Sequence, residues 1–288
     1  MTLNEWQARG RTVATEQGDV FVVEQSGPDG SDPVLVLHGF PTSSYDWEPV
    51  LPLLAARGPV VLFDFPGYGL SAKRDRAYSL FDQADTVEAL AAELGLGSVV
   101  LVTHDMGDSV GGELLARSLD GTLSFDVSRR VLTNGSIYLD LAHLTDGQKF
   151  LESLPDAQLP EGAGPDLTGL AAALRATLAP EATVSDAELL VHAELIAHDG
   201  GNRLLPRLIR YLSERRVHEA RWTGAIERHP APLTIIWGDL DPIAVWPMAE
   251  RLHAARPDAT LVRLDGVGHY PMLEEPARFG AALTIALA

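Results

Sequence analysis

The sequence predicts an α/β fold, a mostly parallel sheet covered by helices, with a helical cap inserted ahead of the last two strands. Three observations lead there. Short, wholly apolar runs bounded by turn residues recur along the chain, as strands buried on both faces require. Helical periods separate most of them. Between residues 136 and 229 the strand rhythm stops, and Leu- and Ala-rich helical spacing replaces it.

In chain order, Arg11–Glu16 and Val20–Gln25 flank Gly18-Asp19 and read as a hairpin. Pro33–Leu37 (PVLVL), Val60–Phe63, Ser98–Thr103 (SVVLVT) and Arg130–Thr133 follow as strands, and Leu233–Trp237 (LTIIW) and Thr260–Leu264 complete eight. Leu80–Leu94 carries Leu80, Phe81, Ala84, Val87, Leu90 and Leu94 on one helical stripe, and Gly95 ends it. Met106–Leu119, Pro247–Ala255 and Pro276–Leu287 are the other core helices. Asp166–Leu178, Ser185–Ala197 and Arg203–Leu212 have helical spacing in the insertion, and Leu154–Pro165 reads as a surface connection. The expected division is a core of residues 1–135 and 230–288 and a cap of residues 136–229.

The chain has 288 residues and a net charge of −18, so its surface repels phosphate backbones and nucleic acid is not an expected partner. It contains no cysteine, which removes disulfides, thiol chemistry and Cys metal sites. The polar start MTLNEWQARG has no apolar leader core, and no apolar run reaches the roughly 18 residues of a membrane span. A cytoplasmic protein without membrane contact is expected. The histidines are scattered, with no H-E-x-x-H, so neither a metal nor another cofactor is expected.

The chemistry sits where predicted strands end. SVVLVTH runs into Asp105, Met106 and Gly107 and then a helix. That is the strand–turn–helix setting of a nucleophile elbow, and the dipole of the helix favours a carboxylate there. An Asp ahead of a helix is also a common N-cap. Gly107-Asp108-Ser109-Val110-Gly111 matches G-x-S-x-G, but Ser109 lies about a turn inside the helix and is rejected as nucleophile. His38-Gly39-Phe40-Pro41 ends the strand PVLVL, and the Phe40 and Met106 amides together would form an oxyanion hole. Asp64–Ser71 (DFPGYGLS) reads as a structural loop lining the site. In Trp237–Pro242 an acid can orient a histidine, with Asp241 preferred over Asp239. His269, Gly-flanked after the last strand, is placed to be a base. The order Asp105, Asp241, His269 is that of a nucleophile–acid–histidine triad.

Together H-G-F-P, D-F-P-G-Y-G-x-S, T-H-D-M-G, W-G-D-L-D-P and G-V-G-H-Y-P resemble the α/β-hydrolase superfamily over about residues 20–285. The Asp elbow and HGFPTSSYDW resemble its epoxide hydrolase and haloalkane dehalogenase branch. The resemblance implies the α/β-hydrolase fold, an eight-stranded mostly parallel sheet with an inserted cap. It implies Asp105 as nucleophile, His269 as base, Asp241 as orienting acid, and Phe40 and Met106 as oxyanion-hole amides. Epoxide hydrolases hold the epoxide oxygen with two cap tyrosines. Tyr211 falls where the second would be, and Tyr138 is the candidate for the first. His38, His104 and Trp222 are counted as substrate-contacting residues. Dehalogenases of this branch carry Trp after the nucleophile, where this chain has Met106, and Asn where it has Phe40. The leading expectation is hydrolysis of an epoxide to a vicinal diol, with a small apolar substrate and water as partners. Dehalogenation by the same triad, or a non-catalytic ligand-binding role, are the alternatives, and a homodimer is left open.

Overall fold

A computed structural model describes residues 1–154 and 164–287; most of the expected Leu154–Pro165 connection lies outside the described residues. Eight strands form a single sheet: β1 (Arg11–Thr15), β2 (Gly18–Gln25), β3 (Val34–Leu37), β4 (Val60–Phe63), β5 (Ser98–His104), β6 (Asp126–Thr133), β7 (Leu233–Gly238) and β8 (Thr260–Leu264). Their order is β1-β2-β4-β3-β5-β6-β7-β8. Only the pairs β1·β2 and β2·β4 are antiparallel; β4 through β8 run parallel. This is the α/β-hydrolase fold that the sequence predicts.

The parallel strands are apolar end to end because helices cover them: all residues of β3, β4 and β7 are buried. The hairpin differs from the expectation in its turn. Thr15 pairs with Gly18, so the chain reverses at Glu16-Gln17 rather than at Gly18-Asp19. Gly18, at φ 124°, is the first residue of the return strand.

Four core helices lie close to their expected spans: α3 (Leu80–Glu93), α4 (Met106–Asp120), α10 (Pro247–Ala255) and α12 (Pro276–Ala286). The core also carries three short helices, α1 (Leu3–Gln7), α2 (Leu51–Ala55) and α11 (Pro271–Glu274). These span five, five and four residues, too few for a periodic stripe to show in the sequence. Ser79 caps α3 by accepting from the Phe81 amide, and Pro247 and Pro276 open α10 and α12.

Between β6 and β7 lie α5 (Asp146–Ser153), α6 (Leu167–Arg175), α7 (Asp186–Ala197), α8 (Gly201–Leu208) and α9 (Tyr211–Arg228). The expected helix Arg203–Leu212 is therefore two helices, with a break at Ile209-Arg210 and a new 18-residue helix beyond it. That helix crosses α4 at close range: a Cβ on Gly112 would come within 2.9 Å of the Trp222 Cβ. Glu113 fastens the crossing. It accepts from the Trp222 indole at 2.9 Å and from Arg221 Nε at 2.7 Å, and Arg117 also reaches it at 3.0 Å. Burial raises the Glu113 pKa, but these donors outweigh burial and hold it below the usual carboxylate value. Among the described residues, no helix is long and apolar enough to cross a membrane.

Candidate active site

Asp105 stands between β5 and α4 at φ 50° and ψ −115°, a strained backbone for a residue with a side chain. Two glycines make room for it. A Cβ on Gly107 would sit 2.4 Å from the Leu37 carbonyl oxygen, and one on Gly39 would sit 2.6 Å from the Asp105 Cβ. The helix start and the β3 loop can therefore close on the carboxylate from both sides.

The two carboxylate oxygens of Asp105 have different surroundings. Oδ2 accepts a hydrogen bond from the Phe40 amide at 2.8 Å. Oδ1 lies 4.0 Å from His269 Nε2, beyond hydrogen-bonding reach. His269 Nδ1 meets Asp241 Oδ2 at 2.8 Å. Asp241 also accepts from the Ile243 and Ala244 amides, at 2.7 and 3.0 Å, and from Asn134 Nδ2 at 2.8 Å. The structure thus brings Asp105, His269, Asp241 and Phe40 together. The Met106 amide makes no hydrogen bond to the Asp105 carboxylate; its residue meets the site through sulfur, which accepts from the Tyr68 hydroxyl at 3.1 Å. Asp239 lies outside the site and pairs with Arg263 at 2.7 Å.

Burial disfavours the charged form of His269, but the charge and hydrogen bond of Asp241 and the charge of Asp105 outweigh it and push its pKa up to about 9. At neutral pH the imidazole is an imidazolium held between two carboxylates. His104, next to the elbow, goes the other way: burial and then the His269 charge push it down to about 4, so it is neutral. Burial also lowers His38.

Four of the expected substrate contacts are corrected. His38 is fully buried, and both ring nitrogens are in use. Nε2 accepts from the Phe65 amide at 3.0 Å, which leaves Nδ1 as the donor to the Gly39 carbonyl at 2.8 Å. It fixes the loop that carries the Phe40 amide. His104 Nε2 donates to the His269 carbonyl at 2.8 Å and so anchors the base. Tyr138 gives its hydroxyl to Glu227 at 2.8 Å, with Arg251 stacked 4.1 Å above its ring. Trp222 is spent on Glu113 in the α4–α9 crossing. Tyr211, by contrast, is buried with its ring 5.7 Å from that of Phe40, and its hydroxyl has no hydrogen-bond partner among the described residues. Burial and then the Asp105 charge raise its pKa. Ser109 accepts from Arg215 Nε at 2.9 Å, inside α4 as its position predicts.

Two contributors escaped sequence reasoning. Asn134, at φ 48°, uses its amide nitrogen on Asp241 and its oxygen on the Gly238 amide at 3.1 Å. Glu274 clamps the histidine loop, accepting from the Gly268 amide at 2.8 Å, the Tyr270 amide at 3.1 Å and, from the insertion, the Ala179 amide at 2.9 Å. The Asn-Gly pair at the end of β6 is a signal for the first, since Asn tolerates positive φ. Nothing in the sequence distinguishes Glu274.

A cavity of about 600 Å³ opens over the site, with Phe40, His269 and Tyr270 on the core side and Leu174, Leu205 and Pro206 on the insertion side. Its wall is mainly apolar, and no tryptophan is among its described lining residues. Among the described residues, no group of three His, Cys, Asp or Glu could hold a metal ion. The arrangement can deliver a carboxylate oxygen to an apolar substrate, hold a developing oxyanion on the Phe40 amide, and move a proton through His269.

A family model described as "Alpha/beta hydrolase family" matches residues 34–282. LipZ of Mycobacterium tuberculosis is 42% identical over 284 residues, covering 98% of this chain and 96% of that protein. The mesoderm-specific transcript homolog protein of Homo sapiens is 34% identical over 295 residues, covering 96% and 85%. The solved haloalkane dehalogenase DbeA of Bradyrhizobium elkani shares the fold, with a TM-score of 0.78 and 23% identity over 96% of this chain and 97% of that one.

Proposed function

The chain belongs to the α/β-hydrolase family, and we propose that within it this protein is a hydrolase that acts through a covalent ester on Asp105, opening an epoxide to a vicinal diol. The observation that carries this is the division of labour between the two Asp105 oxygens: Oδ2 rests on the Phe40 amide, while Oδ1 is free of hydrogen bonds beside His269.

Oδ1 attacks an epoxide carbon, and the carbon–oxygen bond of the ring breaks. The Tyr211 hydroxyl, which makes no hydrogen bond to the described residues, protonates the oxygen that leaves. Esterification removes the Asp105 charge, one of the influences that hold His269 protonated. The imidazole pKa then falls, its proton passes to water, and the neutral ring becomes available as a base. It takes a proton from water, and hydroxide attacks the ester carbonyl carbon. The negative charge collects on Oδ2, facing the Phe40 amide. When the intermediate collapses, the diol oxygen leaves with the proton from His269, Asp105 returns its proton to Tyr211, and His269, again beside the Asp105 charge, regains a proton from water.

Dehalogenation would share the triad but needs donors for a halide. Met106 follows the nucleophile, and the described cavity wall offers no indole. Turnover of an epoxide panel by Asp105→Asn and Ser109→Ala tests the proposal. Asp105→Asn should be inactive and Ser109→Ala active. The reverse pattern overturns the ester on Asp105, and halide release without diol formation overturns the epoxide.

A further inference from the structure

Tyr211 has a second neighbour that the ester chemistry does not use. One helical turn on, Arg215 lies with its guanidinium carbon 5.0 Å from the Tyr211 ring, and only 3% of the residue is exposed. Its Nε donates to Ser109 Oγ at 2.9 Å, while Nη2 is buried without a hydrogen-bond partner among the described residues. Among the described residues no carboxylate forms an ion pair with it. Asp108 feels its charge, but burial raises the acid's pKa well above the usual range and no ion pair joins the two.

A buried guanidinium with an open donor is costly unless something compensates it. Arg215 lines a second cavity of about 110 Å³, together with Tyr211, Ser136, Gln148 and Ile243. No acidic side chain lines it. Arg216, also in its wall, is already paired with Glu152. Gln148 and Ile243 line the large cavity too, so the two spaces adjoin. The volume suits a carboxylate on a short stem, since a water occupies roughly 30 Å³.

We propose that this small cavity is an anion subsite in which Arg215 binds the carboxylate of the substrate, so that the molecules turned over are short epoxy acids and not neutral epoxides. The side chains run Asp105, Phe40, Tyr211, Arg215 across the site. A carboxylate on Arg215 would place the rest of such a molecule over Tyr211, toward the nucleophile. The choice of substrate rests on the ester reading above; anion binding does not.

Calorimetric titration of the full-length protein with butyrate, and with butyramide as its uncharged isostere, tests the subsite. Butyrate should bind the wild-type protein about 10- to 100-fold more tightly than butyramide, the usual value of a hydrogen bond to a charged group. Arg215→Met should erase that preference and Arg215→Lys should keep part of it. Equal binding of the two probes to wild type overturns the proposal without needing any variant, and so does an Arg215→Met protein that folds and retains the preference. Asp105→Asn should bind butyrate at least as tightly as wild type. Butyrate binding without turnover of any epoxide would sink the ester chemistry and leave the subsite standing.

Discussion

The sheet edge and the inserted helices that face it across the cavity differ in how far their polar groups are satisfied. At the edge, both oxygens of Asp241 accept hydrogen bonds, His269 Nδ1 is held, and the surrounding loops are tied by His38, His104, Asn134 and Glu274. On the insertion side, Arg215 Nη2 is buried without a hydrogen-bond partner among the described residues, and the Tyr211 hydroxyl makes no hydrogen bond to them. A preorganised half needs no substrate to reach its working geometry. An unsatisfied half reaches its lowest free energy only when something else supplies the partners. On the proposed mechanism the core supplies the nucleophile and the base, while the insertion supplies the Tyr211 proton donor and the groups that choose the molecule held.

That contrast predicts that core variants and Tyr211 variants lower the rate, while variants of the other insertion residues, such as Arg215, shift substrate preference. The largest effect is expected for Asp241→Asn. It would favour the wrong His269 tautomer and lower kcat by about 10⁴-fold, measured in steady state with any accepted substrate. A loss under tenfold would mean that Asp241 does not orient the base. Tyr211→Phe should slow epoxide opening by about 10²-fold and leave hydrolysis of the preformed ester unchanged, which rapid-quench kinetics separate. Equal slowing of both steps would move Tyr211 from proton donor to general scaffold.

Asn134→Gly removes the amide that holds Asp241 yet still permits φ near 48°. Loss of one hydrogen bond to a charged group predicts kcat lower by about 10-fold or somewhat more, with a lower His269 pKa in the pH profile. The smallest effect is on stability. His104 titrates near 4 when folded against 6.5 when unfolded, so the unfolded chain binds more protons between those values. Its contribution is intact above pH 6.5 and is lost as pH falls toward 4. His38, also lowered by burial, acts in the same direction. Thermal melts should show a falling Tm across that window, shallower in His104→Gln; an identical slope would remove His104 as a cause.

The same contrast explains what the sequence made legible. The central strands were readable because burial on both faces leaves continuous apolar runs, as in VLVL and LTIIW, and the hairpin, whose first strand is largely exposed, because turn residues bound it. That Asp105, Asp241 and His269 come together was readable because each follows a predicted strand, so local position alone implies a place at the sheet edge. The insertion offers no such rule. Helix α9, YLSERRVHEARWTGAIER, carries charge around most of its circumference, so its periodicity fades after Leu212 although Trp222, Ala225 and Ile226 are buried. Tyr138 and Trp222 were placed in the pocket by resemblance, while their polar atoms go to Glu227 and Glu113, partners 89 and 109 positions away in the chain. Such pairings follow from how helices cross. His38 and His104 misled for another reason: each ends a strand beside the site, and its ring serves a neighbouring loop rather than the cavity.

The most direct test of the central claim is mass spectrometry of His269→Gln after exposure to an epoxide that the wild-type protein hydrolyses. Without the base, the ester should persist as a mass increment equal to the whole substrate. Fragmentation of the peptide that spans Asp105 and Ser109 should assign that increment to Asp105. An increment on Ser109, or full turnover with no adduct, would contradict a carboxylate nucleophile.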